Sequence, residues 1–287
     1  MTRLRQRMIE DMQVLNLAPS TQSTYLLQVA IFARHFGKSP EHLSFCHIRD
    51  YQVYLVQQKR LAASSVAVAV AALRFLYRTT LRRNWNFDEV IPAPQPCKRL
   101  PMVLSPDEVD QFLGCVAHLR HRAVLSVCYA AGLRISEAIH LKVSDIDSRR
   151  MMIRIEQGKG QRDRYVMLSP KLLEMFREWF RHRRPEHWLF PGNSPDQTIS
   201  AHSVQWACAR ARRLCRFSKP VTPHSLRHAF AVHLLEAGTD LRTIQLLLGH
   251  STLETTAKYL RLAAGKVCAV TSPFDRLPSS QLSNTIR

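Results

Sequence analysis

The stretch TPHSLRHAFAVHLLEAGTDLRTIQLLLGHSTLETTAKY, residues 222–259, decides how this chain is organised. Thr222 followed by Pro223 predicts a helix start, because the threonine hydroxyl can cap free backbone N–H groups and proline suits the first helical position. His224 and Arg227 then lie three residues apart on one helical face, close to a helix N-terminus that favours anions. The first part of the stretch therefore predicts a cationic face at the start of a helix.

The second part of the stretch predicts two further helices. Gly249 indicates the end of one helix, since glycine is common just past a helix C-terminus. Ser251 and Glu254 predict a capping box that opens the next helix, on which Tyr259 is expected to lie. His250 stays in the connecting loop, so short connections bring a histidine, a His/Arg pair and a phenol together. Such groups suit phosphate chemistry, with cationic donors for the oxygens and a hydroxyl that can attack.

Two motifs upstream complete the pattern. AGLRISE, residues 131–137, contains Arg134 and Glu137, and GKGQRDR contains Lys159. Together with HSLRH, LLGH and the tyrosine nine residues after the LLGH histidine, these elements closely resemble the tyrosine recombinase (phage integrase) family, with its Xer-like members. The resemblance runs from about residue 103 to residue 262, and its specificity comes from several elements in the right order.

The resemblance implies a role for each residue of the pattern. The tyrosine attacks the scissile DNA phosphate, forms a 3′-phosphotyrosine and releases a 5′-hydroxyl, without a metal or any other cofactor. Arginine forks grip the phosphate oxygens, the lysine is the general acid for the leaving oxygen, and the histidines act as general base or hydrogen-bond donors. The spacing alone predicts a plain salt bridge between the arginine and the glutamate three residues later, and such a carboxylate can also orient the arginine toward a phosphate. The implied catalytic residues are Arg134, Lys159, His224, Arg227, His250 and Tyr259, and the supporting residue is Glu137.

Taken singly, these residues have plainer interpretations. A lysine between glycines, such as Lys159, is typical of a solvated turn, and a lone tyrosine such as Tyr259 is usually a half-buried packing residue. His224 and His228 are four residues apart on a predicted helix and could bind zinc, but the sequence fixes no third ligand. His228 and His233 are interpreted as packing or hydrogen-bonding residues. The catalytic interpretation therefore depends on the whole set.

The chain is strongly basic. Its 287 residues include 41 Lys and Arg against 22 Asp and Glu, a formal net charge of +19, and 46% of the residues are hydrophobic. A globular protein with this excess needs a polyanion, so double-stranded DNA is the expected partner, ahead of an anionic membrane surface. The longest apolar run, residues 66–73, is too short to span a bilayer, and the N-terminal arginines have no apolar stretch behind them. We therefore expect neither a membrane segment nor a signal peptide.

The cysteines indicate a reducing cellular compartment. There are seven of them, an odd number, and no two form a CxxC motif. This pattern is typical of free thiols in a reducing cytoplasm, rather than of a disulfide framework or a zinc site. We therefore expect a cytoplasmic protein that associates with the bacterial nucleoid.

Four segments are predicted along the chain. Residues 1–91 show apolar residues at helical spacing, which predicts a helical bundle, and the resemblance implies a SAM-like core-binding domain that binds DNA. Residues 92–101 are rich in proline and are predicted to be a semi-rigid linker. Residues 102–270 are expected to form the catalytic domain, and residues 271–287 a C-terminal tail. In the family, such a linker lets two domains close around duplex DNA, and the active assembly is a homotetramer.

The predicted fold class is mainly α with a small β-sheet. Residues 151–156 and 165–168 have the composition of two short strands joined by a glycine-rich turn. Residues 188–191 are predicted to form a short buried strand or turn, and most other apolar segments repeat at helical spacing. We therefore expect an α+β catalytic domain, preceded by the helical bundle.

Two other functions stay open at this point. An accessory DNA-binding protein without strand transfer would need basic residues but no placed phenol. A type IB topoisomerase-like enzyme would use the same tyrosine chemistry to relax DNA. The intact set of catalytic residues, the separate N-terminal bundle and the LLGHS sequence favour a site-specific recombinase that acts in DNA integration, recombination or transposition.

Overall fold

The chain divides into two compact units, Met1–Arg99 and Leu100–Arg287. The structure is a computed structural model that describes residues 2–94, 102–156, 163–194 and 196–262. Lys159, most of the linker predicted for residues 92–101 and the tail predicted for residues 271–287 lie outside the described residues.

The described part of the N-terminal unit is a bundle of helices. These are α1 Arg3–Val14, α2 Pro19–Phe36, α3 Phe45–Val53, α4 Ala63–Phe75 and α5 Phe87–Val90. α3 and α4 each continue into one π-helical turn, Tyr54–Gln58 and Leu76–Thr80 respectively. The buried ring of Phe32 packs edge-on against Tyr51 and Tyr77, with centroids 5.0 and 6.5 Å away. Aromatic packing of this kind forms the centre of the bundle's own hydrophobic core.

Helices also dominate the described part of the second unit. These are α6 Pro106–Gly114, α7 Leu119–Ala130, α8 Ile135–Ile139, α9 Pro170–Arg183, α10 Ala201–Leu214, α11 Pro223–Glu236, α12 Leu241–Leu248 and α13 Leu253–Ala257. α7 is buried along most of its length and packs against α9, α10 and α11. The core of this unit therefore surrounds α7.

A small antiparallel sheet completes the second unit. Its strands are β1 Ile146–Asp147, β2 Met152–Ile155 and β3 Arg164–Met167, in the order β1-β2-β3. Ile153 pairs with Val166, and both side chains are buried. The sequence predicted β2 and β3 to within about one residue at each end and missed the two-residue β1. A mainly helical chain with a small sheet confirms the predicted fold class.

Helix caps account for most of the element boundaries near the site. The Thr222 hydroxyl accepts a hydrogen bond from the Ser225 N–H at 3.1 Å, and Gly249 ends α12 at a φ of +61°. Both features were predicted. The capping box predicted for Ser251 and Glu254 is wrong, because the extended residue that precedes α13 is Thr252 and it makes no side-chain cap bond. Tyr259 follows α13 in a 3₁₀ turn, Lys258–Arg261, rather than lying on the helix itself.

Candidate active site

A buried carboxylate joins three arginines from three separate parts of the second unit. Glu137 Oε1 accepts from Arg134 Nη1 at 2.7 Å, and its two oxygens accept from Arg164 Nη1 and Nη2 at 3.1 and 2.8 Å. Arg227 Nη1 lies 3.6 Å from Oε2. We call Arg134, Arg164 and Arg227, with Glu137 between them, the arginine cluster. Its members are fixed against one another, as a rigid anion site requires.

The turn after α7 explains why Glu137 sits in this position. Gly132 has a φ of +63°, which ends α7 and turns the chain toward α8. Arg134 then occupies the N-cap of α8, and its backbone N–H donates to Glu137 Oε2 at 2.8 Å. The glutamate therefore caps the helix from its third position while it binds the guanidinium of Arg134. The salt bridge predicted between these two residues is present.

The ionisation of Glu137 reflects its cationic neighbours. Burial alone raises the pKa of this carboxyl, but the hydrogen bonds and charge of Arg164, followed by the backbone N–H and charge of Arg134, outweigh burial and bring the pKa to about 2. The side chain is only 6% exposed. Glu137 is therefore charged at any physiological pH, and its negative charge is shielded from solvent.

Arg227 is held by the backbone of two turns. Its Nη1 donates to the Gly132 carbonyl and its Nη2 to the Leu248 carbonyl, both at 2.6 Å. Burial and the charge of Arg134 lower the pKa of Arg227 to about 10, so the guanidinium stays protonated at neutral pH. The side chain is 1% exposed. In this conformation Arg227 is fixed in place but covered.

His250 is held between Arg227 and a threonine that the sequence did not single out. Its Nε2 lies 3.2 Å from Arg227 Nη2, and its Nδ1 lies 2.9 Å from Thr256 Oγ1. Because a guanidinium only donates, Nε2 is the acceptor and the ring proton of the neutral imidazole is on Nδ1. Burial first, and then the charges of Arg227 and Arg134, lower the pKa of His250 to about 3. The imidazole is therefore neutral in the physiological range.

Tyr259 is buried rather than presented to solvent. Its side chain is 0% exposed, and its ring packs with Phe230, Leu248 and other residues of α11 and α12. The hydroxyl lies 2.9 Å from Nδ1 of His228. Burial raises the pKa of this phenol to about 12, against the lowering effect of the arginine charges. The predicted nucleophile is therefore next to the site but withdrawn into the core.

His224 is the most accessible of the predicted residues that the structure describes. It is exposed in the first turn of α11, and its ring packs edge-on against His228 with centroids 4.2 Å apart. Partial desolvation and then the positive charge of Arg227 lower its pKa. Five of the predicted catalytic residues and Glu137 are thus brought into one region of the second unit, whereas Lys159 lies outside the described residues.

Sequence reasoning missed three residues that contact the predicted site residues. Arg164 is the last residue of the GKGQRDR motif, and its side chain reaches both Glu137 and the Leu247 carbonyl. His228 contacts the phenol and Thr256 orients His250. The motif could have drawn attention to Arg164. No sequence signal predicted the partners of the other two, because those contacts depend on tertiary packing.

Three further observations concern the described residues. Across residues 2–94, 102–156, 163–194 and 196–262, no three His, Cys, Asp or Glu side chains come together as a metal site would require. His233 makes two ordinary hydrogen bonds, to the Tyr129 hydroxyl and the Leu104 carbonyl. No helix in that same part of the chain is long and apolar enough to cross a membrane.

Comparison with known families gives two matches along the chain. The model of the phage integrase family matches residues 102–266. The model described as the phage integrase N-terminal SAM-like domain matches residues 4–87. Together the two models cover most of the chain.

Several curated proteins are similar over most of their length. A putative integrase/recombinase of Sinorhizobium fredii is 62% identical over 278 residues, which are 97% of this chain and 90% of that protein. The tyrosine recombinase XerD of Yersinia pestis is 32% identical over 271 residues, 88% of this chain and 90% of that protein. These levels of identity and coverage are sufficient to assign a family.

Solved structures share the fold. A lambda integrase fragment, a dimer bound to a COC′ core site, has a TM-score of 0.73 at 18% identity and covers 88% of this chain and 95% of that one. The XerH site-specific recombinase bound to palindromic difH substrate, in a post-cleavage complex, has a TM-score of 0.70 at 21% identity, with 88% and 79% covered. At these identities the likeness concerns the fold alone.

Proposed function

Because this chain belongs to the phage integrase family and is a site-specific tyrosine recombinase, we propose that Arg134, Lys159, His224, Arg227, His250 and Tyr259 are its catalytic residues and that Glu137 supports them. The observation that carries this proposal is the arginine cluster, in which one buried carboxylate fixes three guanidinium groups beside His250 and Tyr259. A purely structural set of ion pairs would not need a neutral histidine and a phenol next to it.

The arginine cluster provides the binding site for the scissile phosphate. One nitrogen of the Arg134 guanidinium bonds Glu137, and the side chain is 24% exposed, so its other donors can meet phosphate oxygens. Arg227 joins it once the cover over its guanidinium opens. Charge builds up on the non-bridging oxygens in the transition state, and fixed cations stabilise that charge more than mobile ones do.

Cleavage then transfers the phosphoester bond from DNA to the protein. The Tyr259 oxygen attacks phosphorus and loses its proton, a P–O bond to tyrosine forms, and the bond from phosphorus to the 5′-oxygen breaks. Lys159 supplies a proton to that oxygen, and His224 serves as base or hydrogen-bond donor. The bond energy is kept in the 3′-phosphotyrosine, so a 5′-hydroxyl from a second duplex can reverse the step and complete strand exchange.

Duplex DNA is the proposed partner. The formal net charge of +19 supports this choice, as does the binding of DNA sites by the lambda integrase fragment and by XerH. The family resemblance further suggests that four copies of the chain act on two DNA sites. We place this assembly in the cytoplasm, at the nucleoid.

A covalent trapping assay tests the proposal. The protein is incubated in EDTA with nicked duplexes that carry the DNA flanking its own gene, and denaturing gels report any protein–DNA adduct. We expect an adduct that Tyr259→Phe abolishes while that variant still binds the same duplex. Specific binding without an adduct would support an accessory DNA-binding protein instead. Relaxation of any supercoiled plasmid, with no site requirement, would support a topoisomerase-like enzyme.

A further inference from the structure

His228 contacts the hydroxyl of the proposed nucleophile, although the resemblance gives it no role. Its Nδ1 lies 2.9 Å from the Tyr259 hydroxyl, and both side chains are buried, 8% and 0% exposed. His228 follows Arg227 directly on α11, so the backbone that positions an arginine of the cluster also positions this imidazole. The contact therefore connects the tyrosine segment to the rigid part of the site.

The direction of this hydrogen bond follows from the surroundings of His228. Burial first, and then the neighbouring His224, Lys258 and Arg227, lower the pKa of this imidazole to about 3, so the ring is neutral. Among the described residues, the Tyr259 hydroxyl has no hydrogen-bond partner besides His228. A buried hydroxyl proton without an acceptor is costly. The phenol therefore donates, and Nδ1 accepts.

The segment that carries Tyr259 is short and has few other polar anchors. α13 and the 3₁₀ turn after it comprise only residues 253–261, and the side chains of Leu253 and Leu260 are nearly half exposed. Among the described residues, the polar side-chain contacts of this segment with the core are the partly buried one of Thr256 with His250 and the buried one of Tyr259 with His228. The contact with His228 is the one that acts directly on the phenol oxygen.

We propose that His228 is a positioning residue that holds Tyr259 in its withdrawn conformation, so that the hydrogen bond between them must break before strand cleavage. The proposal rests on Tyr259 being the nucleophile. A withdrawn phenol cannot reach phosphorus, so the cleavage rate scales with the fraction of molecules in which Tyr259 is released. Removing the acceptor leaves a buried hydroxyl unsatisfied and raises that fraction.

Three variants separate this role from a general loss of stability. His228→Phe removes the acceptor and keeps a ring of similar size. His228→Asn keeps an acceptor, because the asparagine side-chain oxygen can occupy the position of Nδ1. His233→Phe is the matched control. His233 lies on α11, as His228 does, and its Nδ1 lies 3.0 Å from the hydroxyl of Tyr129 on α7, but its hydrogen bonds among the described residues do not include Tyr259.

The first readout is the accessibility of Tyr259 without DNA. The protein is treated with tetranitromethane, and mass spectrometry measures nitration of the peptide that contains Tyr259. We expect nitration in His228→Phe to be about tenfold faster than in the unsubstituted protein, the factor that about 1.4 kcal/mol gives. His228→Asn and His233→Phe should remain close to the unsubstituted rate. Equal nitration of Tyr259 in all four proteins would overturn the proposal.

The second readout is the rate of adduct formation on the nicked duplex, which should also rise about tenfold in His228→Phe. Slower adduct formation in His228→Phe, with unchanged nitration, would mean that the imidazole is needed during attack, and the holding role would be wrong. If every protein binds the duplex specifically but none forms an adduct, while nitration follows the expected order, the catalytic assignment fails and the holding role stands. The two hypotheses therefore fail in different ways.

Discussion

Glu137 provides the sharpest test of how the arginine cluster is held. Replacing it by glutamine keeps the size of the side chain and an oxygen that can cap α8, but removes the charge that pairs with three guanidinium groups. A fall of the pKa from 4.5 to about 2 corresponds to about 3 kcal/mol of folding free energy at neutral pH, since each pH unit is worth about 1.4 kcal/mol. We therefore expect Glu137→Gln to lower the free energy of unfolding of the second unit by about 3 kcal/mol.

The pH dependence of this difference has a defined sign. The folded-state pKa is depressed, so the contribution of the charge is complete above the unfolded-state value of 4.5 and is lost as the pH falls toward about 2. The difference between the two proteins should then shrink by about 1.4 kcal/mol per pH unit across that interval. Above it, the difference should be independent of pH.

Urea titrations followed by tryptophan fluorescence measure the effect. Both proteins carry Trp85→Phe, so that the remaining tryptophans report on the second unit, where Trp179 is buried and bonds the Leu189 carbonyl. Glu174→Gln, an exposed position on α9, is the control and should change stability by less than about 0.5 kcal/mol. A difference near zero at neutral pH, or one that stays constant through the acid range, would refute the electrostatic account of the cluster.

Three further predictions concern the same region. Gly132→Ala places a Cβ 2.4 Å from Phe230 at a φ of +63°, so thermal melting should show a loss of about 2 kcal/mol or more, and adduct formation should fall because the carbonyl that binds Arg227 moves. Arg164→Lys replaces a bidentate pair by a point charge; we expect adduct formation to be about tenfold slower with unchanged duplex affinity in a gel-shift assay. His250 binds protons less readily in the folded chain, because its pKa of about 3 lies below the ordinary 6.5. Stability should therefore fall as the pH drops through that interval, and His250→Asn should reduce the slope by about 1.4 kcal/mol per pH unit in urea titrations.

Local chemistry made much of the fold predictable. The cap at Thr222 and the stop at Gly249 are short-range features, since each depends on backbone groups within a few residues. The error at Ser251 is of the same kind: a capping box was expected, but Thr252 occupies the cap position in extended conformation. A shift of one residue is within the usual uncertainty of helix ends.

The candidate site was predictable as a set of residues but not as a network. Motifs identified Arg134, Arg227 and Tyr259 because their types and order are distinctive. Their partners are set by packing between distant segments, as with Arg227 and the Gly132 carbonyl or Tyr259 and His228. A lone tyrosine is usually half-buried, but the sequence does not indicate that Tyr259 is fully buried, since this depends on how the segment that carries it packs against α11 and α12. The contacts of the site residues and the full burial of Tyr259 are therefore known only from the structure.

The arginine cluster carries a net positive charge that suits the binding of a DNA phosphate. Three guanidinium groups face one carboxylate, and neutral His250 adds no charge, so the cluster keeps a formal excess of two positive charges in a largely buried place. Burial first, and then repulsion between the like charges, lower the pKa of Arg227. A phosphate that enters between Arg134 and Arg227 relieves the repulsion and brings its own acceptor oxygens. Binding of the scissile phosphate should therefore stabilise the second unit, and part of the energy that opposes folding in the free chain becomes energy available for holding DNA.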